Sequence, residues 1–217
     1  DGWDQRQSQM LIRDRVPQHF IEQGIGRWRK QCCERDAEAG NGRPHHFPVC
    51  LVRSDENGRA CGVAQRLDIA VICTEAAAVP NIVDACGRAG CRNAIVIAGG
   101  FADTGTRGAT LERAALENAR RHGMRLLGPN CLGIMRPGSH INLTFGHGSA
   151  HAGTIGLISQ SGALCTAILD WALPNKVGFS NVVSLGAESD VDFGEVLDYM
   201  VSDPRTENIF LYIEGIK

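Results

Sequence analysis

The sequence predicts an α/β fold, in which short, buried parallel strands alternate with helices in two successive units. Two apolar runs, at residues 69–73 and 94–98, have the length and composition of strands that are covered on both faces. Each run is followed by a stretch of helical length that ends at a glycine. The chain of 217 residues is 43% hydrophobic and 21% charged, which is sufficient for a buried core.

The first unit has the order strand, helix, strand, helix, strand, which is half of a doubly wound sheet. Pro80 is compatible with the first turn of a helix, and Gly90 and Gly123 suit the positions where a helix ends. The strands are predicted at 68–73, 94–98 and 124–127, and the helices at 79–89 and 110–122.

A second unit repeats the pattern after a glycine-rich stretch, residues 136–153, which is predicted to link two domains. Because few residues follow its last strand, one face of that strand has no predicted cover, and we expect the chain to be a fragment whose second domain is truncated. The strands are predicted at 154–158, 179–185 and 209–213, and the helices at 161–172 and 193–201.

The composition argues against several classes of protein. The net charge of −2 leaves no basic excess to neutralise a nucleic-acid backbone, so we expect no nucleic-acid partner. No apolar run approaches the ~18 residues that span a membrane, and the first residues do not resemble a signal peptide. The nine cysteines form no regular framework, which predicts reduced thiols packed as small hydrophobic residues in a cytoplasmic protein.

Residues 1–66 differ in character from the rest of the chain. They carry a net charge of +2, and only 12 of them are Val, Ile, Leu, Met or Phe, so no element is predicted before Leu67. Adjacent pairs of possible zinc ligands occur at 32–33 and 45–46, but ligand pairs in zinc sites are usually spaced by several residues. We therefore leave residues 1–66 unassigned and predict no metal site.

The predicted strands of the first unit end in small and polar residues. In open α/β sheets, ligands bind at this edge, and free N–H groups there can hold phosphate or amide oxygens. Turns between strands and helices also need glycine for conformational reasons, so an ordinary structural role stays open. The three segments are Cys73–Ala77, Gly99–Phe101 and Gly128–Cys131.

The second unit has a sharper signal at Ile158–Leu164, with the sequence ISQSGAL. A strand there runs directly into a helix, whose positive end favours an anion by roughly 0.3–1 kcal/mol per contact. Capping of the helix by Ser159 or Ser161 is the structural alternative. The Gly-x-Ser-x-Gly motif of a serine hydrolase is absent.

Glu214 follows the apolar strand 209–213. A carboxylate at this place could orient an imidazole by accepting its N–H. The alternative is that Glu214 is simply the first exposed residue after a buried strand.

Residues 67–217 resemble the NDP-forming acyl-CoA synthetase family, which includes the α subunit of succinyl-CoA synthetase. The resemblance implies a partial Rossmann-like CoA-binding domain at 67–146 and a truncated, flavodoxin-like ligase domain at 152–217. The matching strings are Asp68–Thr74, Leu127–Gly133 (LGPNCLG), Ile158–Leu164, Gly178–Leu185 (GFSNVVSL), Asp190–Phe193 and Leu211–Gly215.

The resemblance also implies roles for individual residues. The start of the helix after ISQSG would face a phosphohistidine that this chain lacks, and Glu214 would orient that histidine. An ATP-grasp domain or subunit, also absent, would supply the ATP/ADP and Mg chemistry, and a homo-oligomer is possible in this family. The implied CoA-binding residues are Thr74, Ala76, Gly99, Gly100, Phe101 and Asn130, and the implied phosphate-binding residues are Ser159, Gln160, Ser161 and Gly162.

Two functions follow from this resemblance. The first is the CoA-binding part of an acid–thiol ligase that acts through an acyl phosphate and a phosphohistidine, inactive as this chain alone. The second is a regulatory module that senses CoA or acyl-CoA in a protein lysine acetyltransferase, a branch that 168–172 and 190–193 resemble. A nicotinamide dehydrogenase is disfavoured, because no G-x-G-x-x-G follows a strand.

Overall fold

Two five-stranded sheets with flanking helices make up the described part of the chain. The computed structural model describes residues 49–54, 60–61, 68–146 and 149–215. The strands are β1 Val49–Ser54, β2 Ala60–Cys61, β3 Ile69–Ile72, β4 Asn93–Val96, β5 Arg125–Leu127, β6 Gly133–Arg136, β7 Ile141–Thr144, β8 His151–Ser159, β9 Gly178–Ser184 and β10 Asn208–Tyr212. The helices are α1 Val79–Arg88, α2 Thr106–Arg121, α3 Gly162–Ala172 and α4 Phe193–Ser202.

The first sheet has the order β2-β1-β3-β4-β5, with β1, β3, β4 and β5 parallel and β2 antiparallel to β1. The βαβαβ order predicted from β3 to β5 is confirmed. β1 was not predicted, although it pairs in register with β3 from Val49 to Val52. Its apolar run is only four residues long and no helical pattern follows it, so the sequence lacked the alternation that revealed the other strands.

Helix α1 supplies much of the core against this sheet. It buries Val79, Ile82, Val83 and Cys86, a spacing that places all four side chains on one helical face. Helix α2 buries mainly small residues, and the two helices pack together over the sheet. Of the five cysteines whose side chains are described, four are buried, and all five are free thiols, as expected for small hydrophobic residues.

The second sheet has the order β10-β8-β9-β6-β7. β8, β9 and β10 are parallel, whereas β6 is antiparallel to both β9 and β7. β6 and β7 fall within the predicted first domain and linker, yet they extend the second sheet. Their burial alternates or is partial, so they lack the continuous apolar run of a buried parallel strand.

Helix α3 and strands β8 and β9 form the core of the second sheet, around Leu157, Cys165, Leu169, Phe179 and Val182. β10 lies at the edge of this sheet. Among the described residues, Phe210, Leu211, Tyr212 and Ile213 are 59%, 45%, 41% and 45% exposed, so few described side chains pack against the end of this strand.

Several predictions for the N-terminal part cannot be compared with the structure. Within the unassigned residues 1–66, only the backbones of β1 and β2 are described, and the possible zinc ligands at 32–33 and 45–46 lie outside the described residues. The domain limits 67–146 and 152–217 stay predictions. In the part of the chain that is described, no helix combines the length and apolar character needed to cross a membrane.

Asp203 joins three segments at the second sheet. Its side chain is only 3% exposed and accepts hydrogen bonds from Arg136 Nη2 at 3.0 Å and Asn181 Nδ2 at 2.9 Å. The backbone N–H of Arg205 donates to its other oxygen at 3.2 Å. The hydrogen bond from Asn181, together with the Arg205 N–H and the charge of Arg136, holds the pKa of Asp203 below its ordinary value despite the opposing effect of burial.

We expect Asp203→Asn to lower the free energy of unfolding at pH 7 by about 2 kcal/mol, because Arg136 loses its buried counter-charge. The lowered pKa stabilises the fold above the ordinary aspartate value of 3.8, and this contribution is lost as the pH falls below it. Urea unfolding at pH 7 and pH 3 measures both effects. Asp198→Asn, on the exposed surface of α4, is the control. Equal unfolding free energies for the two variants at pH 7 would contradict the prediction.

Candidate functional site

The turns that follow β3, β4 and β5 adjoin at one edge of the first sheet. A Cβ atom added to Gly100 would lie 3.6 Å from Cβ of Ala76, in the turn after β3. A Cβ atom added to Gly99 would lie 3.2 Å from Oδ1 of Asn130, in the turn after β5. The absence of side chains at Gly99 and Gly100 therefore leaves the backbone open between the neighbouring turns.

Hydrogen bonds tie these turns to one another. Ile97 N donates to Ile72 O at 3.0 Å, and Asn130 N donates to Ala98 O at 2.9 Å. Cys131 Sγ donates to Val96 O at 3.4 Å, and burial raises the pKa of this thiol to about 12. Cys131 is therefore protonated at neutral pH and acts as a structural donor beneath the edge.

The predicted CoA-binding residues differ in what they present at this edge. Asn130 and Gly99 are exposed, whereas Thr74, Ala76 and Gly100 are half-buried. Phe101 is 1% exposed and packs in the core of the first sheet. Its N–H donates to Asp103 and its carbonyl accepts from Thr104. Phe101 can therefore support the turn from below, but it presents no side-chain surface to a ligand.

The strand-to-helix turn of the second sheet is closed by its own serines. Ser159 is fully buried, and its Oγ donates to Ser161 O at 2.9 Å and accepts from Ser161 N at 3.0 Å. Ser161 Oγ accepts from Leu164 N at 3.3 Å and caps α3, which confirms the capping alternative for this residue. The N–H groups of the first turn, beginning at Gly162, have no partner within a helix, and the helix dipole there favours an anion.

Gln160 brings Glu214 to the start of α3. Gln160 Oε1 accepts from the N–H groups of Glu214 and Gly215 at 2.5 and 3.0 Å. Glu214 itself is exposed. The sequence singled out both residues, but it did not predict that the side chain of one would bind the backbone of the other.

The loop after β9, residues 185–192, connects the two edges. Ala187 N donates to Pro129 O at 2.9 Å and Ser189 N donates to Gly128 O at 3.2 Å. Leu132 N, just past the same turn, donates to Ser184 Oγ at 2.9 Å. The turn after β5 therefore contacts both the strand-end edge of the first sheet and the loop after β9 of the second sheet. The sequence did not predict that this loop would bond to the turn after β5. The available signal was the length of the loop, which exceeds the usual two to six residues between strand and helix.

The described residues contain no group of three or more His, Cys, Asp or Glu side chains arranged to hold a metal ion. What the site does offer is an open backbone edge, a helix start and one exposed carboxylate. Such an arrangement can bind a phosphate-bearing ligand through main-chain N–H groups.

Two family models match the chain in succession. Residues 44–137 match the CoA binding domain, and residues 152–217 match the succinyl-CoA ligase-like flavodoxin domain. The fold and the site thus define a CoA-binding domain followed by a flavodoxin-like ligase domain.

Similar proteins carry ligase names. The chain is 41% identical over 155 residues to the ADP-forming acetate–CoA ligase I of Archaeoglobus fulgidus, covering 71% of this chain and 23% of that protein. It is 38% identical to the α subunit of the ADP-forming acetate–CoA ligase I of Pyrococcus furiosus, covering 71% and 34%. The apo structure of the dinucleotide-forming acetyl-coenzyme A synthetase 1 of Ca. Korarchaeum cryptofilum matches with a TM-score of 0.68 and 37% identity, covering 71% and 33%.

The chain belongs to the NDP-forming acyl-CoA synthetase family, as its motifs predicted. It spans between 23% and 34% of the length of the relatives described above.

We expect Gly186→Ala to destabilise the junction between the two edges. Gly186 has a φ of +61°, and an added Cβ would lie 2.6 Å from Asn130 O. Gly90→Ala is the matched control, because Gly90 has a φ of +84° with open space around it. Placing an alanine in a left-handed backbone conformation lowers the free energy of unfolding by roughly 1–2 kcal/mol in both variants. The steric clash at Gly186 lowers it by about 1 kcal/mol or more in addition. Urea unfolding measures the difference, and equal losses in the two variants would contradict the clash.

Proposed function

We propose that this chain is the CoA-binding part of an NDP-forming acyl-CoA synthetase, an acid–thiol ligase. The observation that carries the proposal is the junction of the strand-end turns of the first sheet with the start of α3 and Glu214 in the second. The names of the relatives support the same reaction class. One part of the site would bind the thiol substrate, and the other would face the phosphoryl group.

CoA would lie along the edge formed by Thr74, Ala76, Gly99, Gly100 and Asn130, and it would supply the thiol that accepts the acyl group. The fit rests on the glycines, because side chains at both positions would fill the space beside the neighbouring turns. The exposed side chain of Asn130 can donate and accept hydrogen bonds. Phe101 would keep the turn in shape from within the core.

At the second edge, the first N–H groups of α3 would stabilise the phosphoryl group of a phosphohistidine carried elsewhere in the complete protein. The N–H of Gly162 would be the first of these groups, while Ser159 and Ser161 keep the turn closed. Glu214 would accept the N–H of the imidazole and so fix the orientation of the ring. An ATP-grasp domain or subunit would provide the nucleotide and Mg sites.

The alternative is a regulatory module that senses CoA or acyl-CoA in a protein lysine acetyltransferase. It would use the same edge of the first sheet, but it would need neither Glu214 nor the start of α3. The ligase names of the relatives favour the ligase.

We further propose a cytoplasmic location, a CoA-binding domain at 67–146 and a ligase domain at 152–217. Assembly as a homo-oligomer is compatible with this function.

We expect CoA and acetyl-CoA to bind this chain, and Gly99→Leu to weaken the binding about tenfold or more, which corresponds to roughly 1.4 kcal/mol. The leucine would occupy the space between the turns after β4 and β5. Isothermal titration calorimetry measures both affinities. Gly138→Leu is the control, because the nearest atom to its added Cβ is a flexible arginine end at 3.7 Å.

Two outcomes would refute the proposal. If titration of CoA into the wild-type chain produces no binding heat, CoA is not the ligand of this chain. Equal affinities for Gly99→Leu and Gly138→Leu would place the ligand elsewhere.

A further inference from the structure

Both polar atoms of the Gln160 carboxamide are engaged by hydrogen bonds. Nε2 donates to Gly215 O at 2.9 Å and to Glu188 Oε2 at 2.5 Å. Oε1 accepts from Glu214 N and Gly215 N. Four hydrogen bonds therefore converge on one half-buried side chain. Its donors are already used, so the side chain is not free to bind a phosphoryl group.

The Gln160 carboxamide forms two hydrogen bonds with the backbone of Gly215, as a backbone peptide group would. It accepts from the N–H and donates to the carbonyl of the same residue, the exchange seen between facing residues of antiparallel strands. The backbone N–H of Gln160 also donates to Tyr212 O at 3.1 Å. Together these bonds carry the β8–β10 pairing beyond Tyr212 to Gly215.

This region needs such bonds, because the end of β10 is an exposed edge. Among the described residues, Tyr212 and Ile213 are 41% and 45% exposed, so the described apolar side chains do little to fix the path of the chain toward Glu214. Hydrogen bonds from Gln160 thus decide where the backbone of Glu214 lies.

Glu188 fixes which way the carboxamide faces. A carboxylate can only accept, so Nε2 faces Glu188 and Oε1 faces the two N–H groups. The other oxygen of Glu188 accepts from Phe193 N at 3.1 Å, at the start of α4. Glu188 lies in the loop whose Ala187 N–H bonds to Pro129, so the arrangement is also connected to the turn after β5.

We propose that Gln160 is a positioning residue: through the backbone of Glu214 and Gly215, and with Glu188 orienting its carboxamide, it holds the Glu214 carboxylate beside the start of α3. This role rests on the proposed function, in which Glu214 orients a phosphorylated imidazole. The contacts themselves do not depend on that function. A defect in the contacts and an error in the assigned reaction can therefore be measured separately.

The test compares Gln160→Glu with the double variant Gln160→Glu/Glu188→Gln. Gln160→Glu preserves the shape of the side chain but sets a new carboxylate against Glu188 and the carbonyl of Gly215. We expect amide hydrogen exchange at Glu214 and Gly215 to accelerate at least tenfold, while the affinity for CoA changes less than twofold. In the double variant, the amide at 188 can donate to the new carboxylate, whereas Gly215 O still lacks its donor, so exchange slows only part of the way back toward the wild-type rate.

The second measurement uses the complete protein that carries this chain, with its nucleotide-binding part. We expect Gln160→Glu to lower kcat for acyl-CoA formation at least tenfold, with the KM for CoA within twofold of wild type, and the double variant to recover part of that loss. Gln160→Asn keeps the amide and adds no charge, but it is one methylene too short to reach Gly215. It should accelerate exchange and lower kcat even if Gln160→Glu fails to fold.

Each outcome has a distinct meaning. Unchanged amide exchange in both single variants would overturn the arrangement itself. Accelerated exchange with unchanged kcat would overturn the positioning role. A wild-type chain that fails to bind CoA would refute the proposed function while leaving the exchange result valid.

Discussion

The turn after β5, residues 128–131, is the contact on which the rest of the site depends. Parallel strands end at a common edge, where the backbone groups of each turn must find partners outside the sheet. This turn donates to Ala98 on one side and accepts from Ala187 on the other. Two sheets that share no strand are thereby set edge to edge, and the open backbone of the first comes to lie near the start of α3.

Most of the strands that the sequence predicted are buried in parallel pairing; β10, which is parallel to β8 but exposed at the edge of the sheet, is the exception. Buried parallel strands need apolar residues on both faces, so β3, β4 and β8 appear as continuous runs that need no knowledge of tertiary structure. The sequence did not predict β6 and β7, because antiparallel strands with one partly exposed face have no continuous apolar run. The sequence did not predict β1 either, although it is the parallel neighbour of β3, because no helical pattern follows its short apolar run.

The sequence predicted which turns lie at the candidate site, but it did not predict the burial or the hydrogen-bond partners of several side chains. Strand ends follow from topology alone, which is why Gly99 and Asn130 could be expected together. The partners of a side chain depend on residues distant in the sequence: Gln160 bonds to Glu188, 28 positions away, and to Gly215, 55 positions away. The burial of Phe101 and Ser159 likewise results from packing, and local spacing does not encode it.

The two acidic residues near α3 have opposite electrostatic situations. Glu188 accepts from Gln160 and from the first N–H of α4, so a polar donor and a helix dipole offset its charge. Glu214 extends from an exposed turn. Because the start of α4 offsets part of the charge of Glu188, Glu188 opposes an anion at the start of α3 less than it would without that contact. The positive potential at the start of α3 thus stays available to an anionic ligand. Glu214 is the carboxylate that can accept a hydrogen bond from a cationic or N–H-bearing group there.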